Sequence, residues 1–485
     1  MTTPRPVRDE TPRFGAKVRA LRRREGVSQA QLAEKLGISA SYLNLIENNR
    51  RPLPAPLLIR LAQIYGVDLG TFAADEDARV VSELMEAFAD PLFEGHELTS
   101  TEVRELATAT PAAARAVLSL YRAYQNARGS VETLAERVYE DDEQAKAPYQ
   151  PPSEDVSDFI QRKMNHFPEL ETAAEGLWRS AKLDPEELHA GLVRHLEKKH
   201  GIHVRIARWE AARGVLRRYE PDKKTLQLSE LLPTRARTFQ LAHQVALLEH
   251  HELLDELVAE AQDLTTDEAR GLARVALANY FAAAVLMPYG PFLQAAREER
   301  YDIDVIGRRF RVGFEQVCHR LTTLRRPGNE GVPFHMIRID VAGNISKRFS
   351  GSGIRFARFS GACPRWNVFA AFMTPGMIRI QVSRMPDGIT YFCLARTIQQ
   401  DSGGYHAQQP VQAIGLGCQV TYARHLVYSD GVDLDNTAMT INVGVTCRTC
   451  ERTDCEQRAF PSLRHPLRID ENVRGLSLFS PVEER

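Results

Sequence analysis

The sequence has no apolar run long enough to span a membrane and no cysteine before Cys318. A membrane-spanning helix needs about 20 apolar residues, so we expect none here and no membrane partner. The first residues, MTTPRPVRDETPRF, contain no apolar core and no cleavage pattern. This predicts a cytoplasmic protein without a secretory signal. In that reducing compartment, seven cysteines favour a metal or cluster over a framework of disulfides.

A large net charge is also absent, because 62 Lys and Arg residues balance 63 Asp and Glu residues. The near-neutral total hides a local asymmetry. Residues 1–51 hold eleven basic and five acidic side chains, a net charge of +6, whereas residues 75–105 hold two basic and ten acidic side chains, a net charge of −8. A basic stretch of this kind indicates contact with nucleic-acid phosphates. The length of 485 residues predicts two to four domains.

The basic stretch carries the pattern of a helix-turn-helix. We expect Ser28 to cap a first helix over 31–36, Gly37 to form the turn, and Ser39 to cap a second helix over 40–48. The residues spaced to pack these helices together are Leu32, Ala33, Leu36, Ile38, Leu43 and Ile46. The outer face then presents short polar side chains to base edges in the major groove of DNA.

The predicted DNA contacts divide into base readers and phosphate binders. The candidates for base reading are Gln29, Ser39, Ala40, Ser41, Tyr42 and Asn44. Arg22 and Arg50 are the candidates for phosphate contacts. The segment 13–51 resembles the XRE-type phage-repressor family through its SQxxLAxxLGIS and YLxxIExxxRxP patterns. This resemblance implies an all-α DNA-binding domain over 1–73 that binds a double-stranded operator as a homodimer or higher homo-oligomer.

Composition divides the rest of the chain into three parts. Residues 74–157 predict a helical spacer that ends in a polar linker; the spacer is either a dimerisation element or a packed connector. Residues 158–330 predict a mainly helical domain with one short β interruption. Residues 331–485 contain alternating strand-like runs separated by Gly and Pro, which predicts an α+β domain of antiparallel strands. The predicted fold class is therefore multidomain.

The middle domain contains a damaged metallopeptidase pattern. Residues 237–254, RTFQLAHQVALLEHHELL, resemble the zinc-binding helix of ImmA/IrrE-type peptidases, which needs two histidines for zinc and a glutamate to activate water. His243 is present, but Gln244 takes the place of the glutamate and Leu247 that of the second histidine. No carboxylate ligand stands near Val275. We therefore predict an IrrE-like domain without zinc site or enzyme activity, a fold suited to ligand sensing.

Three cysteines near the C-terminus have the spacing of a metal or cluster site. Cys447, Cys450 and Cys455 form a C-x2-C-x4-C pattern on a polar stretch. Their thiolates can bind an iron–sulfur cluster or zinc, and the spacing leaves both possibilities open. A fourth ligand must come from elsewhere. Cys363, followed by proline on a glycine-flanked loop, is the first choice, and Cys418, also beside glycines, is the reserve.

The order of these parts resembles the RamB/PrpR/ScfR family of bacterial regulators. The most specific stretches are FRVGFEQVCHRLTTLRRPG (310–328), GVPFHMIRIDVAGNISKRFS (331–350), GACPRW (361–366), LVYSDG (426–431) and CRTCERTDCEQRAFP (447–461). The resemblance implies control of genes for acetate, propionate, glyoxylate or methylcitrate metabolism. It also implies a C-terminal sensor that binds coenzyme A or a short-chain acyl-CoA beside a 4Fe-4S cluster.

The phosphates of coenzyme A require basic partners. The candidates are Arg308, Arg309, Lys347 and Arg348. Two other functions stay open at this point. One is a redox-sensing transcription factor that uses only the iron–sulfur cluster; the other, which the damaged motif disfavours, is a zinc peptidase fused to a DNA-binding domain.

Overall fold

The computed structural model describes residues 15–24, 26–48, 50–65, 74–93, 98–138, 152–208, 215–357, 362–399, 409–447, 450–461 and 479. Two compact units make up the chain. The first contains Met1–Tyr149, Ala357–Ser360 and Phe460–Arg485, and the second contains Gln150–Phe356 and Gly361–Ala459. The predicted boundary near residue 330 falls inside the second unit, because one core runs through both the middle and the C-terminal regions. The four-part division of the chain stays a prediction.

The described part of the first unit is helical and contains two separate cores. Its helices are α1 (Gly15–Arg24), α2 (Gln29–Leu36), α3 (Ala40–Glu47), α4 (Ala55–Tyr65), α5 (Ala74–Ala87), α6 (Ser100–Ala109) and α7 (Pro111–Val138). Helices α1 to α4 enclose a core that includes Leu32, Leu36 and Leu43, as their spacing predicts. Helices α5 to α7 enclose another, centred on Leu84 and Leu118. The predicted spacer is thus a small bundle with its own apolar interior.

The described part of the second unit contains ten α-helices and two sheets. The helices are α8 (Pro152–Arg162), α9 (Pro168–Ser180), α10 (Leu188–His200), α11 (Thr234–Glu249), α12 (His251–Ala259), α13 (Asp267–Leu286), α14 (Tyr289–Glu298), α15 (Ile303–Arg309), α16 (Phe314–Leu321) and α17 (Asn367–Ala370). Helix α8 begins inside the predicted linker. Its first turn carries Pro152 and two carboxylates, and Val156 and Phe159 enter the core, so the polar stretch still encodes a helix start.

Nine strands complete the described secondary structure. They are β1 (His203–Ala207), β2 (Arg217–Glu220), β3 (Thr225–Ser229), β4 (His335–Asp340), β5 (Ile345–Ser350), β6 (Arg379–Arg384), β7 (Thr390–Gln399), β8 (Val411–Gln419) and β9 (Ile441–Asn442). The small sheet has the order β1-β3-β2, with β1 parallel to β3. The large sheet has the order β5-β4-β8-β7-β6-β9 and is antiparallel except at β6–β9.

Both faces of the large sheet are buried. Alternate residues of β7 show this directly, because Phe392 and Leu394 join the helical core whereas Tyr391 and Ala395 join a second core on the other face. The strand-like run at residues 439–447 forms a strand over only part of its length. Only β9 pairs with the sheet there, and the following backbone bonds to the segment around Cys363 instead.

Among the described residues, we find no individual helix with the length and hydropathy of a membrane span. The bent pair of α13 and α14 reaches these values only when both helices are counted together.

Candidate functional site

The helix-turn-helix has the local geometry that its sequence predicts. The Ser28 side chain accepts a hydrogen bond from the backbone of Gln31, whose side chain in turn accepts one from the Ser28 backbone, so α2 begins with a capping box. Gly37 ends α2 with a φ of 71°, a left-handed conformation that glycine adopts without strain. Ser39 caps α3 by accepting from the Tyr42 backbone at 3.1 Å. These local bonds fix the angle at which α3 is presented.

The predicted base-reading residues lie on the outer face of this motif. Exposed side chains belong to Ser39, Ala40, Ser41 and Asn44, and half-buried ones to Gln29 and Tyr42. Asn44 is oriented by its neighbours, since its Oδ1 accepts from Asn48 at 2.8 Å and from Gln29 at 3.4 Å. This small amide network holds the polar groups of α3 in place before DNA arrives.

Arg22 and Arg50 occupy different environments despite the same prediction for both. Arg22 forms a two-pronged ion pair with Glu47, at 2.7 and 3.0 Å, and the Glu47 side chain is only 1 % exposed. The hydrogen bond to Glu47 raises the pKa of Arg22 above its usual value. Arg50 is exposed. Arg22 therefore joins α1 to α3, whereas Arg50 is available for phosphate contact.

We expect Tyr42→Ala and Asn44→Ala to reduce operator preference while leaving weak binding to random DNA. Each lost base contact should cost about 1–3 kcal/mol. Arg50→Ala is the matched control, because loss of a phosphate contact should weaken both kinds of DNA and flatten the salt dependence. Fluorescence anisotropy at several salt concentrations measures all three effects. Equal weakening of operator and random DNA by the α3 variants would show that these side chains do not read bases.

The segment that resembles the peptidase motif lies in the middle of α11. His243 is buried, and its Nδ1 lies 2.9 Å from Oδ1 of Asn279 on α13. Its Nε2 is buried and has no hydrogen-bond partner among the described residues. Burial, together with the nearby positive charge of Arg217, lowers the pKa of His243 to about 4. The imidazole is therefore neutral at pH 7.

The residues around His243 do not fit a catalytic zinc ion. Gln244 is buried and carries no charge, Leu247 packs against the core, and Val275 is 42 % exposed. The guanidinium of Arg217 adds a positive charge where a cation would have to sit. Water activation needs a base and at least two further ligands, so this constellation supports no peptidase step.

A cavity of about 540 Å³ lies in the second unit. Its walls come from α8, α13, α16 and the strands β4 and β5, all of them regular elements. Apolar side chains such as Ile160, Phe239 and Met336 line one part of it. The size lies within the range of small-molecule and cofactor pockets. The cavity is therefore large enough to enclose much of an organic ligand.

The other part of the cavity is basic. Arg338 donates to Glu315 at 2.7 Å, Lys347 lies 3.5 Å from the same carboxylate oxygen, and Arg348 pairs with Glu154. Burial opposes ionisation of Glu315, but Lys347 and Arg338 outweigh it and lower its pKa. Three cations thus face two carboxylates, and the surplus positive charge favours an anionic ligand.

The four predicted coenzyme A residues do not lie together. Lys347 and Arg348 line the cavity, whereas Arg308 and Arg309 stand exposed at the end of α15, outside the cavity lining. Arg309 pairs with Glu298 at 3.2 Å. Arg338 also lines the cavity, although it is not among the predicted residues. The sequence gives no signal for it, because Arg338 simply alternates with buried residues along β4.

The four cysteines of the predicted metal site surround one small cavity. Cys363, Cys447, Cys450 and Cys455 all line it. Long-range backbone contacts bring the two segments together, since Ala362 forms a β-bridge with Thr446 and the Cys363 amide donates to Val445 at 3.0 Å. Trp366 and Gly444 add a further bond between the segments, from the indole to the Gly444 carbonyl at 2.9 Å. Cys418 lies elsewhere, in β8 opposite Phe392.

The loop that carries three of these cysteines is tightly built. The Arg458 side chain donates to the carbonyls of Cys447 at 3.2 Å and Cys450 at 2.8 Å. A Cβ at Gly444 would lie only 3.0 Å from the Cys450 sulfur, so a larger residue would disturb the site. Burial raises the pKa of Cys363 and of Cys447, so both stay protonated at pH 7 until a metal displaces their protons.

The spacing of the sulfur atoms is compatible with a cluster. Tetrahedral zinc, with Zn–S bonds of about 2.3 Å, holds its thiolates about 3.8 Å apart. Of the residues that the structure describes, no three cysteines place their sulfur atoms within 4.8 Å of one another. A 4Fe-4S cluster binds each thiolate through a different iron and separates them more widely. The donor set therefore fits a cluster.

Family models match successive parts of this chain. The description "Helix-turn-helix domain" applies to residues 13–74, "IrrE N-terminal-like domain" to residues 197–322, and "Short-chain fatty acyl coenzyme A regulator, C-terminal" to residues 323–479. These matches follow the order of the motifs in the sequence, and the last one includes the cysteine loop and most of the basic side of the cavity.

Relatives of known name match nearly the full length. The chain is 40 % identical to the HTH-type transcriptional regulator RamB of Mycobacterium tuberculosis, over 96 % of this chain and 97 % of the relative. It is 40 % identical to PrpR of the same organism, over 97 % and 96 %, and to the propionyl-CoA carboxylase regulator of Cereibacter sphaeroides, over 97 % and 98 %. A solved Mycobacterium tuberculosis transcriptional regulator is 43 % identical, with a TM-score of 0.66, over 68 % of this chain and 100 % of that one.

Proposed function

Because this chain belongs to the RamB/PrpR family of helix-turn-helix transcriptional regulators, and is a regulator rather than an enzyme, we propose that coenzyme A or a short-chain acyl-CoA gates its operator binding. The regulated genes serve short-chain fatty acid and central carbon metabolism, in the acetate, propionate, glyoxylate or methylcitrate routes. The name of one relative, a propionyl-CoA carboxylase regulator, supports this assignment. The chain acts on double-stranded DNA as a homodimer or higher homo-oligomer.

The observation that carries this proposal is the cavity in the second unit. Its basic side, formed by Arg338, Lys347 and Arg348, suits the phosphates of coenzyme A, and its apolar side suits the acyl chain. A volume of about 540 Å³ exceeds what a free phosphate or a short carboxylic acid needs. An anion with a long apolar arm is the ligand class that uses both sides.

Helix α8 is the element through which ligand binding would reach the DNA-binding unit. Ser153, Val156 and Ile160 of α8 line the cavity. The same helix is tied to β5, because Gln161 and Ser350 exchange two hydrogen bonds of 2.9 Å. Since α8 is the first described helix of the second unit, a ligand that repositions it acts on the part of that unit nearest in sequence to the DNA-binding unit.

A 4Fe-4S cluster bound by Cys363, Cys447, Cys450 and Cys455 completes the proposal. When bound, the cluster supplies one-electron redox chemistry. The chain's own contribution is to hold the four thiolates and, through Arg458, the loop carbonyls around them. The alternative function, a redox sensor that uses the cluster alone, would leave the basic cavity without a ligand.

Isothermal titration of anaerobic protein with propionyl-CoA tests the proposal. We expect Lys347→Ala/Arg348→Ala to weaken binding by about 100-fold or more, because each of the two lost charge-assisted hydrogen bonds contributes about 1.5–3 kcal/mol. Arg308→Ala/Arg309→Ala is the matched control; it removes the same charge outside the cavity and should bind as the unmodified protein does. Equal losses in both pairs, or binding in neither, would contradict the cavity as the ligand site.

A further inference from the structure

A second group of metal-ligand side chains lies far from the cysteine loop in the sequence. Nε2 of His195 is 2.6 Å from Oε1 of Glu249, and Nε2 of His200 is 2.8 Å from the same oxygen. Across the described ranges of the chain, this is the one set of three His, Cys, Asp or Glu residues whose ligand atoms all lie within 4.8 Å of one another. Two imidazoles and one carboxylate therefore converge on one point.

Two parallel helices bring these groups together. His200 is the last residue of α10, and Glu249 is the last residue of α11. At the other ends of these helices, His189 lies 3.1 Å from the hydroxyl of Thr238. Contacts at both ends therefore hold the two helices together. The packing of α10 on α11 thus sets the positions of the two imidazoles.

The carboxylate is held by its neighbours and partly shielded from water. Its two oxygens accept hydrogen bonds from His195, Lys199 and His200. The side chains of His195 and Glu249 are each 9 % exposed, whereas that of His200 is 22 % exposed. The site is therefore preformed and open on the side of His200.

We propose that His195, His200 and Glu249 form a binding site for a divalent transition-metal ion of the zinc class. Two histidines and one glutamate are a ligand set that zinc uses in proteins. Tetrahedral zinc, about 2.0–2.1 Å from each ligand, would separate the ligand atoms to about 3.3 Å. The two His–Glu distances of 2.6 and 2.8 Å therefore need to widen by only about half an ångström, and a fourth position stays open. The bound ion joins α10 to α11.

This site is distinct from the lost peptidase centre. Glu249 follows His243 by six residues on α11, which places it roughly 9 Å farther along the helix axis and on another face. The prediction of no zinc site in the middle domain concerns the peptidase positions alone. His195 and His200 carry no recognisable metal motif in α10, and only the packing of two helices shows their relation to Glu249.

Lys199 provides a way to test the site without removing a ligand. Its Nζ lies 2.7 Å from Oε2 of Glu249, so the ammonium competes with a metal for the same carboxylate, and its side chain is 53 % exposed. We expect Lys199→Ala to bind zinc several-fold more tightly than the unmodified protein. A hydrogen-bonded network with a structural role alone predicts no such gain.

The experiment uses the full chain with its cysteine site loaded anaerobically, so that thiolates do not take up added metal. Equilibrium dialysis against Zn²⁺ followed by metal analysis should give one zinc per chain. His195→Asn/His200→Asn should lose that zinc with its iron content unchanged. His203→Asn is the matched control, because His203 is exposed and pairs with Glu197 outside the site. Co²⁺ should give visible bands without thiolate charge transfer.

Each outcome decides the proposal. It is overturned if the unmodified protein takes up no zinc, if the double variant retains all of it, or if Co²⁺ shows thiolate charge transfer alone. If the double variant fails to fold, the Lys199→Ala affinity and the Co²⁺ spectrum still decide. Unchanged affinity in Lys199→Ala would count against Glu249 as a ligand.

Discussion

Replacing Cys447, Cys450 or Cys455 with serine is expected to abolish the iron and sulfide content of anaerobically purified protein, and Cys363→Ser is expected to do the same. These four thiols surround one cavity, and each cluster iron needs its own thiolate. Because Cys363 lies on a separate segment, a cluster bound by all four thiols would join two parts of the fold. Its loss should therefore loosen the C-terminal region, as loss of a structural metal does.

Iron analysis and the visible spectrum measure the cluster content, and limited proteolysis measures the loosening of the C-terminal region. Cys418→Ala is the matched control, because Cys418 is buried in β8 away from the other four thiols and should keep full iron. A broad brown absorbance that disappears in the four serine variants indicates an iron–sulfur cluster. Full iron in Cys363→Ser with loss in a Cys418 variant would identify Cys418 as the fourth ligand. A triple variant at 447, 450 and 455 that keeps both stability and effector response would refute the cluster.

The second large effect is expected from Arg22→Ala, and it should act through stability. The Glu47 side chain is only 1 % exposed, so removal of Arg22 leaves a buried carboxylate that keeps a hydrogen bond from Gln29 and a longer ion pair with Arg19 at 3.8 Å. Breaking a buried ion pair in this way costs about 3 kcal/mol. Hydrogen exchange of α2 and α3 in the full chain should then become roughly 100-fold faster.

Glu47→Gln separates this structural effect from a direct phosphate contact. If charge alone determined DNA affinity, removal of an acidic residue from a basic module would strengthen binding. We expect the opposite, because the glutamine leaves Arg22 without its ionic partner and destabilises the junction of α1 and α3. Normal exchange protection in Arg22→Ala, together with weaker DNA binding, would instead assign Arg22 to the phosphates.

The parts that could be predicted from the sequence depend on local signals. Ser28, Gly37 and Ser39 fix the ends of α2 and α3 through bonds to residues three or four positions away, and a reader of the sequence sees those residues together. The strands β4, β6, β7 and β8 are also predictable, because their apolar residues alternate along continuous runs. Period and capping chemistry are written in the chain itself.

The parts that could not be predicted depend on contacts between distant segments. Arg22 looks like any other basic residue until α3 places Glu47 beside it. Arg308 and Lys347 are equally basic in the sequence, and only the packing of β5 on α8 places Lys347 in the cavity and leaves Arg308 outside. The same holds for Cys363, whose loop meets the cysteine segment through a β-bridge and two further hydrogen bonds.

Occupancy of the cavity is expected to set operator affinity. The most direct measurement is the dissociation constant for operator DNA with and without saturating propionyl-CoA, for the unmodified protein and for Lys347→Ala/Arg348→Ala. A coupling of about 1–3 kcal/mol predicts a change of about 5- to 150-fold in the unmodified protein, and a change of the same factor in propionyl-CoA affinity when operator is bound. The double variant should show neither at the same ligand concentration. An operator affinity that is identical with and without coenzyme A, acetyl-CoA and propionyl-CoA would contradict the account.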